Sequence, residues 1–122
     1  MPVFSTYREH ADVDSIMLAQ LRPSNTSPNV IYTKPVDALV IIDCIFACNT
    51  AGNTDIYIYH DPTNSGTYNQ TTALVWDYRV SNDGFEIFQK FYMQPNEEGS
   101  TIAVEVDNSN RINFTIYGRV FD

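Results

Sequence analysis

Positively charged residues are scarce in this sequence of 122 residues. Seven Lys and Arg residues stand against fifteen Asp and Glu residues, which gives a formal net charge of −8. A nucleic-acid-binding protein gains much of its affinity from cations that displace the counterions on phosphate, and here the few cations form no basic run. We therefore expect neither nucleic acid nor an anionic membrane as a partner, and the acidic excess indicates a soluble surface.

Long apolar runs are also missing. No stretch approaches the roughly 18–20 apolar residues that span a bilayer. Arg8, Glu9 and His10 stand where a signal peptide has its apolar segment, so we expect a protein made in the cytoplasm without export. The chain is nevertheless 43% hydrophobic and 13% aromatic, which excludes a disordered protein and predicts a packed core.

Cysteine and histidine are too few for a disulfide framework or a zinc site, since there are two of each. Cys44 and Cys48 lie in an apolar, β-branched run, residues 38–48, which predicts a buried strand. Four residues along a strand span about 13 Å, whereas a disulfide needs Cα atoms within about 7 Å. We therefore expect two packed free thiols in a reducing compartment.

The sequence also lacks a recognisable catalytic or cofactor-binding arrangement. His60 and Asp61 form a lone pair to which no nucleophile is tied by sequence. The loop after Asp61 places Gly66 at the turn position of a calcium-binding EF-hand, but lacks its acidic ligands at the third and twelfth places. There is no Gly-rich phosphate loop. These absences predict a non-enzymatic protein with no catalytic residue, cofactor or metal.

From residue 38 onward, apolar and polar residues alternate in segments of strand length. Residues 73–80 group four apolar side chains on one face: Leu74, Trp76, Tyr78 and Val80. The segment from residue 85 groups Phe85 and Ile87 opposite Glu86, and residues 111–121 turn Ile112, Phe114, Ile116 and Val120 inward. Turn signals recur about every 8–12 residues without a helical pattern between them. We therefore predict an all-β protein, an antiparallel β-sandwich or jelly roll of about eight strands.

The first third is less regular. Residues 1–15 predict an extended N-terminal arm and residues 16–122 the β-sandwich domain. Within residues 13–22 the apolar positions fit a helical stripe and also a strand, and the pattern leaves both open. If the arm contacts a neighbouring protein, Phe4 and Tyr7 are its apolar anchors, and a frayed chain terminus is the alternative interpretation.

Tyrosines supply the candidate contact surface. Tyr57 and Tyr59 point away from their apolar neighbours in one strand, and Tyr117 does so in another. If these strands are adjacent, the three form a cluster on an outer sheet face. Tyrosine combines a large contact area with a polar tip, so the cluster predicts a contact with another subunit, or a platform for sugar rings. Cross-strand pairing that only stabilises the sheet is the third interpretation.

Five segments of the sequence are similar to segments of a known family of proteins: residues 18–20, 30–35, 41–52, 67–74 and 113–118. Over residues 16–122 they resemble small β-sandwich structural proteins of tailed phages, most closely the capsid cement or decoration proteins of cyanophages. The resemblance implies a non-enzymatic virion protein but does not fix its location. The acidic charge favours the outer capsid surface, because the packaged genome would repel it from the lumen. The expected partners are therefore the major capsid protein and, as a homotrimer that matches the local threefold symmetry of capsids, further copies of this chain. A tail, neck or fibre component is the alternative, and a carbohydrate-binding module with weak glycan contact is the second alternative.

Overall fold

The computed structural model describes residues 14–88 and 90–122, which form nine strands in two antiparallel sheets. The strands are β1 (Ile16–Leu21), β2 (Asn29–Thr33), β3 (Leu39–Asn49), β4 (Thr54–Asp61), β5 (Ala73–Val80), β6 (Phe85–Phe88), β7 (Phe91–Met93), β8 (Thr101–Val106) and β9 (Ile112–Phe121). The described residues contain no helix, and so none that could cross a membrane. The predicted all-β sandwich is confirmed. Phe4 and Tyr7 lie outside the described residues.

The first sheet has the strand order β1-β9-β3-β6, and β7 also pairs with β3. β3 is the long central strand of this sheet: it pairs with β9 along one side and with β6 and then β7 along the other. The second sheet has the order β2-β8-β4-β5. Chain neighbours such as β3 and β4 therefore lie in different sheets, and the two layers pack face to face.

The core lies between the inner faces of the two sheets and consists mainly of β-branched side chains. Its fully buried members include Val40, Ile42, Ile45, Ile56, Ile58, Ile102, Val104, Ile112, Phe114 and Ile116. Burial of each such side chain contributes about 1.5–3 kcal/mol to the free energy of folding. The predicted inward face of residues 111–121 is confirmed for Ile112, Phe114 and Ile116, and Val120 packs against the same core.

Residues 16–21 form strand β1 and not the alternative helix. Pairing with the edge of β9 decides between the two patterns, because Leu21 lies in register with Phe114 and Ile16 with Gly118. A short apolar stripe fits either period, so the choice depends on the partner strand and not on the local sequence.

Each outer edge of the two sheets is irregular. The register shifts in β1 between Met17 and Ala19, and in β2 between Val30 and Tyr32. β5 pairs with β4 through two further shifts. The remaining edge is divided between two short strands, β6 and β7. These shifts bend the edge strands and interrupt their hydrogen-bonding pattern.

One of these shifts turns Trp76 outward. Asp77 has a left-handed backbone with φ of 53°, and β5 places two residues, Trp76 and Asp77, opposite Tyr57. Trp76 therefore lies on the outer face of the second sheet, so the predicted grouping of Trp76 with Val80 is wrong. A bulge inserts one unpaired residue, so the side chains beyond it point to the sheet face opposite to the one that strict alternation predicts.

Strand β6 directs its large apolar residues to the outside. Phe85 is 63% exposed and Ile87 is 51% exposed. Their partners in β3 are Cys48 and Phe46, which alternate with the buried Ala47 and Ile45. Cys48 is consequently exposed and Cys44 half-buried, both as free thiols, so the expectation of packed thiols is wrong for Cys48.

Candidate interaction surfaces

The candidate tyrosines lie on two different surfaces. Tyr57 and Tyr59 are on β4 in the second sheet, whereas Tyr117 is on β9 in the first sheet. The predicted cluster of all three tyrosines therefore does not form, because its two strands are not adjacent. Each tyrosine side chain belongs to an outer sheet face with its own composition.

The outer face of the second sheet gathers four aromatic rings. Tyr57 and Tyr59 are parallel, with ring centroids 6.5 Å apart. Trp76 stands nearly perpendicular to them, 5.0 Å from Tyr57 and 6.4 Å from Tyr59. The ring of Tyr68 packs at a tilt against that of Tyr59, with their centroids 5.8 Å apart. Tyr59 is only 1% exposed and Trp76 is 46% exposed, so Trp76 supplies more of the accessible ring surface.

Carboxylates accept hydrogen bonds from two tyrosine hydroxyls on this face. The Tyr57 hydroxyl donates to Oδ1 of Asp77 at 3.1 Å, and the Tyr59 hydroxyl donates to Oε1 of Glu105 at 2.5 Å. Burial raises the pKa of both tyrosines well above the ordinary value of 10, and the carboxylate partners raise it further. Both hydroxyls therefore remain protonated donors across the physiological pH range.

Three carboxylates of the same face converge. Single oxygen atoms of Asp55, Asp77 and Asp107 lie within 4.8 Å of one another. Nε of Arg79 donates to Oδ1 of Asp55 at 2.9 Å, and this hydrogen bond holds the pKa of Asp55 below its ordinary value. We call this surface the aromatic–acidic face, defined by Tyr57, Tyr59, Tyr68, Trp76, Asp55, Asp77, Arg79, Glu105 and Asp107. With four carboxylates and one guanidinium, it carries net negative charge.

The outer face of the first sheet carries a patch of apolar side chains. We call it the apolar face, defined by Met17, Phe46, Cys48, Phe85, Ile87 and Tyr117. These residues run across four neighbouring strands: Met17 pairs with Tyr117, Tyr117 packs edge-on against Phe46 at 5.9 Å, and Phe46 pairs with Ile87. A contiguous apolar surface of this kind is typical of a contact with another protein.

Two cations and one carboxylate form a charged cluster beside the apolar face. Nη2 and Nε of Arg119 donate to the two carboxylate oxygens of Asp43 at 2.7 and 3.0 Å. Nζ of Lys90 lies 3.9 Å from the same carboxylate. The Arg119 hydrogen bonds lower the pKa of Asp43, which stays ionised and paired.

The His60–Asp61 pair predicted as a strand-end feature does not form a catalytic dyad. Nε2 of His60 contacts Oε1 of Glu97 at 2.8 Å and Oγ of Ser100 at 3.1 Å. A catalytic triad uses the two imidazole nitrogens on opposite sides, whereas one nitrogen takes both contacts here. Asp61 instead accepts hydrogen bonds from Ser65 and from the backbone N–H of Gly66 at 2.8 Å, and so caps its own loop.

A cavity of about 230 Å³ lies between the sheets, where β5 faces β6 and β7. Its lining residues are Ile45, Ile58, Leu74, Val75, Phe88, Lys90 and Phe91. A ligand pocket combines apolar walls with several convergent polar groups. Lys90 is the one polar side chain among these lining residues, so the cavity is a packing gap at the open side of the sandwich.

Trp76 is the residue of the aromatic–acidic face that the sequence pattern missed. Strict alternation placed it on the same side as Val80. The available signal was Asp77, since aspartate is depleted in strand interiors and tolerates a left-handed backbone. An aspartate in the middle of an aromatic strand therefore indicates a bulge.

Comparison with known proteins identifies no family. No protein-family model matches the chain, and no curated protein matches it. A solved structure of infectious bursal disease virus, Gx strain, aligns at 12% identity with a TM-score of 0.41, over 88% of this chain and 30% of the virus chain. The Gt strain structure aligns at 10% identity with a TM-score of 0.39, over 89% and 32%. The chain thus spans about a third of the length of those virus chains.

Proposed function

We propose that this chain is a non-enzymatic structural protein of a phage virion, a cement or decoration protein that binds the major capsid protein on the outer capsid surface and reinforces the shell. The observation that carries the proposal is the apolar face, which spans four strands and leaves Phe85, Ile87 and Met17 more than half exposed. The resemblance of residues 16–122 to phage capsid cement proteins supplies the virion setting.

The composition of the apolar face suits a stable protein contact. Aromatic residues and methionine are enriched in the buried centres of interfaces, and unpaired charges are depleted there. Because Arg119 and Asp43 already pair beside this face, covering it would separate neither of these two charges from its partner. The aromatic–acidic face lies on the opposite layer and stays accessible when the apolar face is covered.

The predicted arm supplies a second contact in this proposal. An arm that orders on binding covers a large area with few residues, and Phe4 and Tyr7, which lie outside the described residues, are its anchors. Removing residues 1–12 should weaken attachment to capsids and leave the sandwich folded. Full-strength attachment by the truncated chain would contradict the role of the arm.

The test of the apolar face uses capsids that lack the protein. The double variant Phe85→Ser, Ile87→Ser should fold, because exposed side chains change stability by about 0.5 kcal/mol or less, and should co-sediment with capsids at least tenfold more weakly. Val36→Ser, which alters an exposed valine 74% accessible in a loop, is the matched control and should bind as the unmodified protein does. Equal binding by the double variant would overturn the proposal.

Two further measurements address assembly and position. We expect a homotrimer, because cyclic assembly matches the local threefold symmetry of capsids, and a monomer by light scattering at micromolar concentration counts against it. A cement protein is present in many copies per virion, whereas a tail, neck or fibre component is present in few. Protein stoichiometry in purified virions separates these roles, which the fold alone does not.

A further inference from the structure

We propose that the aromatic–acidic face binds neutral saccharides, with Trp76 as the ring against which a sugar stacks. A sugar ring presents an apolar C–H surface together with a rim of hydroxyl donors. A matching site needs an exposed aromatic ring beside hydrogen-bond acceptors, and this face joins the two. The site lies on the sheet opposite the apolar face, so it does not depend on the proposed capsid contact.

Trp76 is held in place before any ligand arrives. The bulge at Asp77, with φ of 53°, turns the indole outward, and the ring then packs edge-on against Tyr57 at 5.0 Å. Tyr59 supports it from the neighbouring position at 6.4 Å. A side chain that is already fixed loses little conformational entropy on binding, which favours recognition of a weakly binding ligand such as a sugar.

Acceptors for sugar hydroxyls lie at the hydroxyls of the two tyrosines that contact this ring. The Tyr59 hydroxyl donates a hydrogen bond to Oε1 of Glu105, and the Tyr57 hydroxyl donates one to Oδ1 of Asp77. Each carboxylate has a second oxygen with which to accept a hydrogen bond from a sugar hydroxyl. Asp107 adds a third carboxylate within reach of Asp77. Hydrogen bonds to ionised acceptors are shorter and stronger than those to neutral ones, so a few of them suffice to orient a sugar.

The charge of the face selects among saccharides. Four carboxylates stand against Arg79, whose guanidinium already binds Asp55. A sialylated or sulfated glycan would bring like charge toward this surface and be repelled. The expected ligands are therefore uncharged oligosaccharides.

The intrinsic fluorescence of the protein tests this directly, because Trp76 is the only tryptophan in the sequence. The full chain is titrated with maltohexaose, cellohexaose and chitohexaose, and separately with sialyllactose, at millimolar concentration. We expect a saturable change in fluorescence with at least one neutral hexaose and none with sialyllactose. No saturable change with any of the three neutral sugars, or equal binding of sialyllactose, overturns the proposal.

Variants locate the site by saturation-transfer NMR on the hexaose that binds. Trp76→Ala should reduce affinity more than tenfold, Trp76→Phe should retain part of it, and Glu105→Gln should reduce it about threefold. Tyr117→Ala, on the opposite sheet, is the matched control and should bind as the unmodified chain does. Unchanged binding by a folded Trp76→Ala protein overturns the assignment. Trp76→Ala should still attach to capsids, because the capsid contact is proposed for the opposite sheet. Loss of sugar binding with capsid attachment intact therefore separates this proposal from the capsid proposal.

Discussion

Gly118 in β9 and Ile41 in β3 approach so closely that a side chain on residue 118 would overlap the Ile41 carbonyl oxygen. Leu18 of β1 closes the other side, with its Cδ1 2.9 Å from where a Cβ would stand. Gly118 is in register with Ile16 on one neighbouring strand and with Ile42 on the other. Glycine at this position therefore permits three strands to pair closely.

Gly118→Ala should destabilise the protein strongly. The obstructing atom is backbone and cannot rotate away, so β3 and β9 must separate, and we expect a loss of about 3 kcal/mol in the free energy of unfolding. Gly66→Ala is the control: its φ is positive, at 73°, unlike that of Gly118, but no atom lies within 4 Å of the added Cβ. It should lose only about 1 kcal/mol from backbone strain. Urea denaturation measures both, and equal losses would contradict the steric argument.

Asn49→Ala should also be costly. Asn49 is 2% exposed and its Nδ2 donates to the carbonyl oxygens of Gly52 at 2.6 Å and Val80 at 2.9 Å. Alanine would leave the buried Val80 carbonyl without this donor, and we expect a loss of about 2–3 kcal/mol. Asn96→Ala, in an exposed turn, should change the urea midpoint little. Similar midpoints for the two variants would show that the Asn49 bonds do not stabilise the fold.

The sequence was sufficient for the fold class and for the core faces of the uninterrupted strands. In β9, alternation runs unbroken from Ile112 to Ile116, and the structure follows it. It was insufficient for β6, because alternation shows that Phe85 and Ile87 share a face but not which face meets the core. Their register with β3, where Ile45 and Ala47 already fill the inner side, decides it.

The candidate surface was predictable to a similar degree. The outward facing of Tyr57 and Tyr59 follows from two-residue periodicity alone. The separation of Tyr117 from them does not, because assignment of β4 and β9 to different sheets depends on long-range pairing. The outward turn of Trp76 depends on a local backbone irregularity at Asp77 that overrides the periodicity.

Stability should fall in acid through Asp43 and Asp61. Hydrogen bonds from Arg119 hold the pKa of Asp43 below its ordinary 3.8. Burial raises the pKa of Asp61, but hydrogen bonds from Ser65 and Gly66 outweigh it, so this pKa is lowered as well. Groups with a lowered folded-state pKa stabilise fully at pH well above 3.8, and this contribution is lost as pH falls through the lower folded-state value.

The measurement is the urea midpoint between pH 7 and pH 2. We expect it to decline once the pH passes below about 4. Asp61→Asn should be less stable than the unmodified protein at pH 7, and the difference should shrink in acid, where the aspartate is protonated. A difference that stays constant across this range would contradict the ionic role of Asp61.

The two thiols should react at different rates. Cys48 is exposed, whereas Cys44 is half-buried and burial raises its pKa, as does the nearby Asp43. Because the thiolate is the reactive form, the folded protein should show one fast and one slow phase with Ellman's reagent. Cys48→Ser should abolish the fast phase, and in urea both thiols should react quickly. A single phase from the folded protein would contradict this arrangement.

The irregular outer strands have a consequence for how copies can join. A straight, unpaired strand at a sheet margin offers a template on which further chains add without limit, as in fibrils. None of the four sheet edges formed by the described residues offers such a straight strand here. The register shifts along β1, β2 and β5, and the fourth edge is divided between the short strands β6 and β7. Edge-to-edge addition is thereby disfavoured, which leaves the side-chain faces of the two sheets as the surfaces through which copies in the proposed assembly would meet.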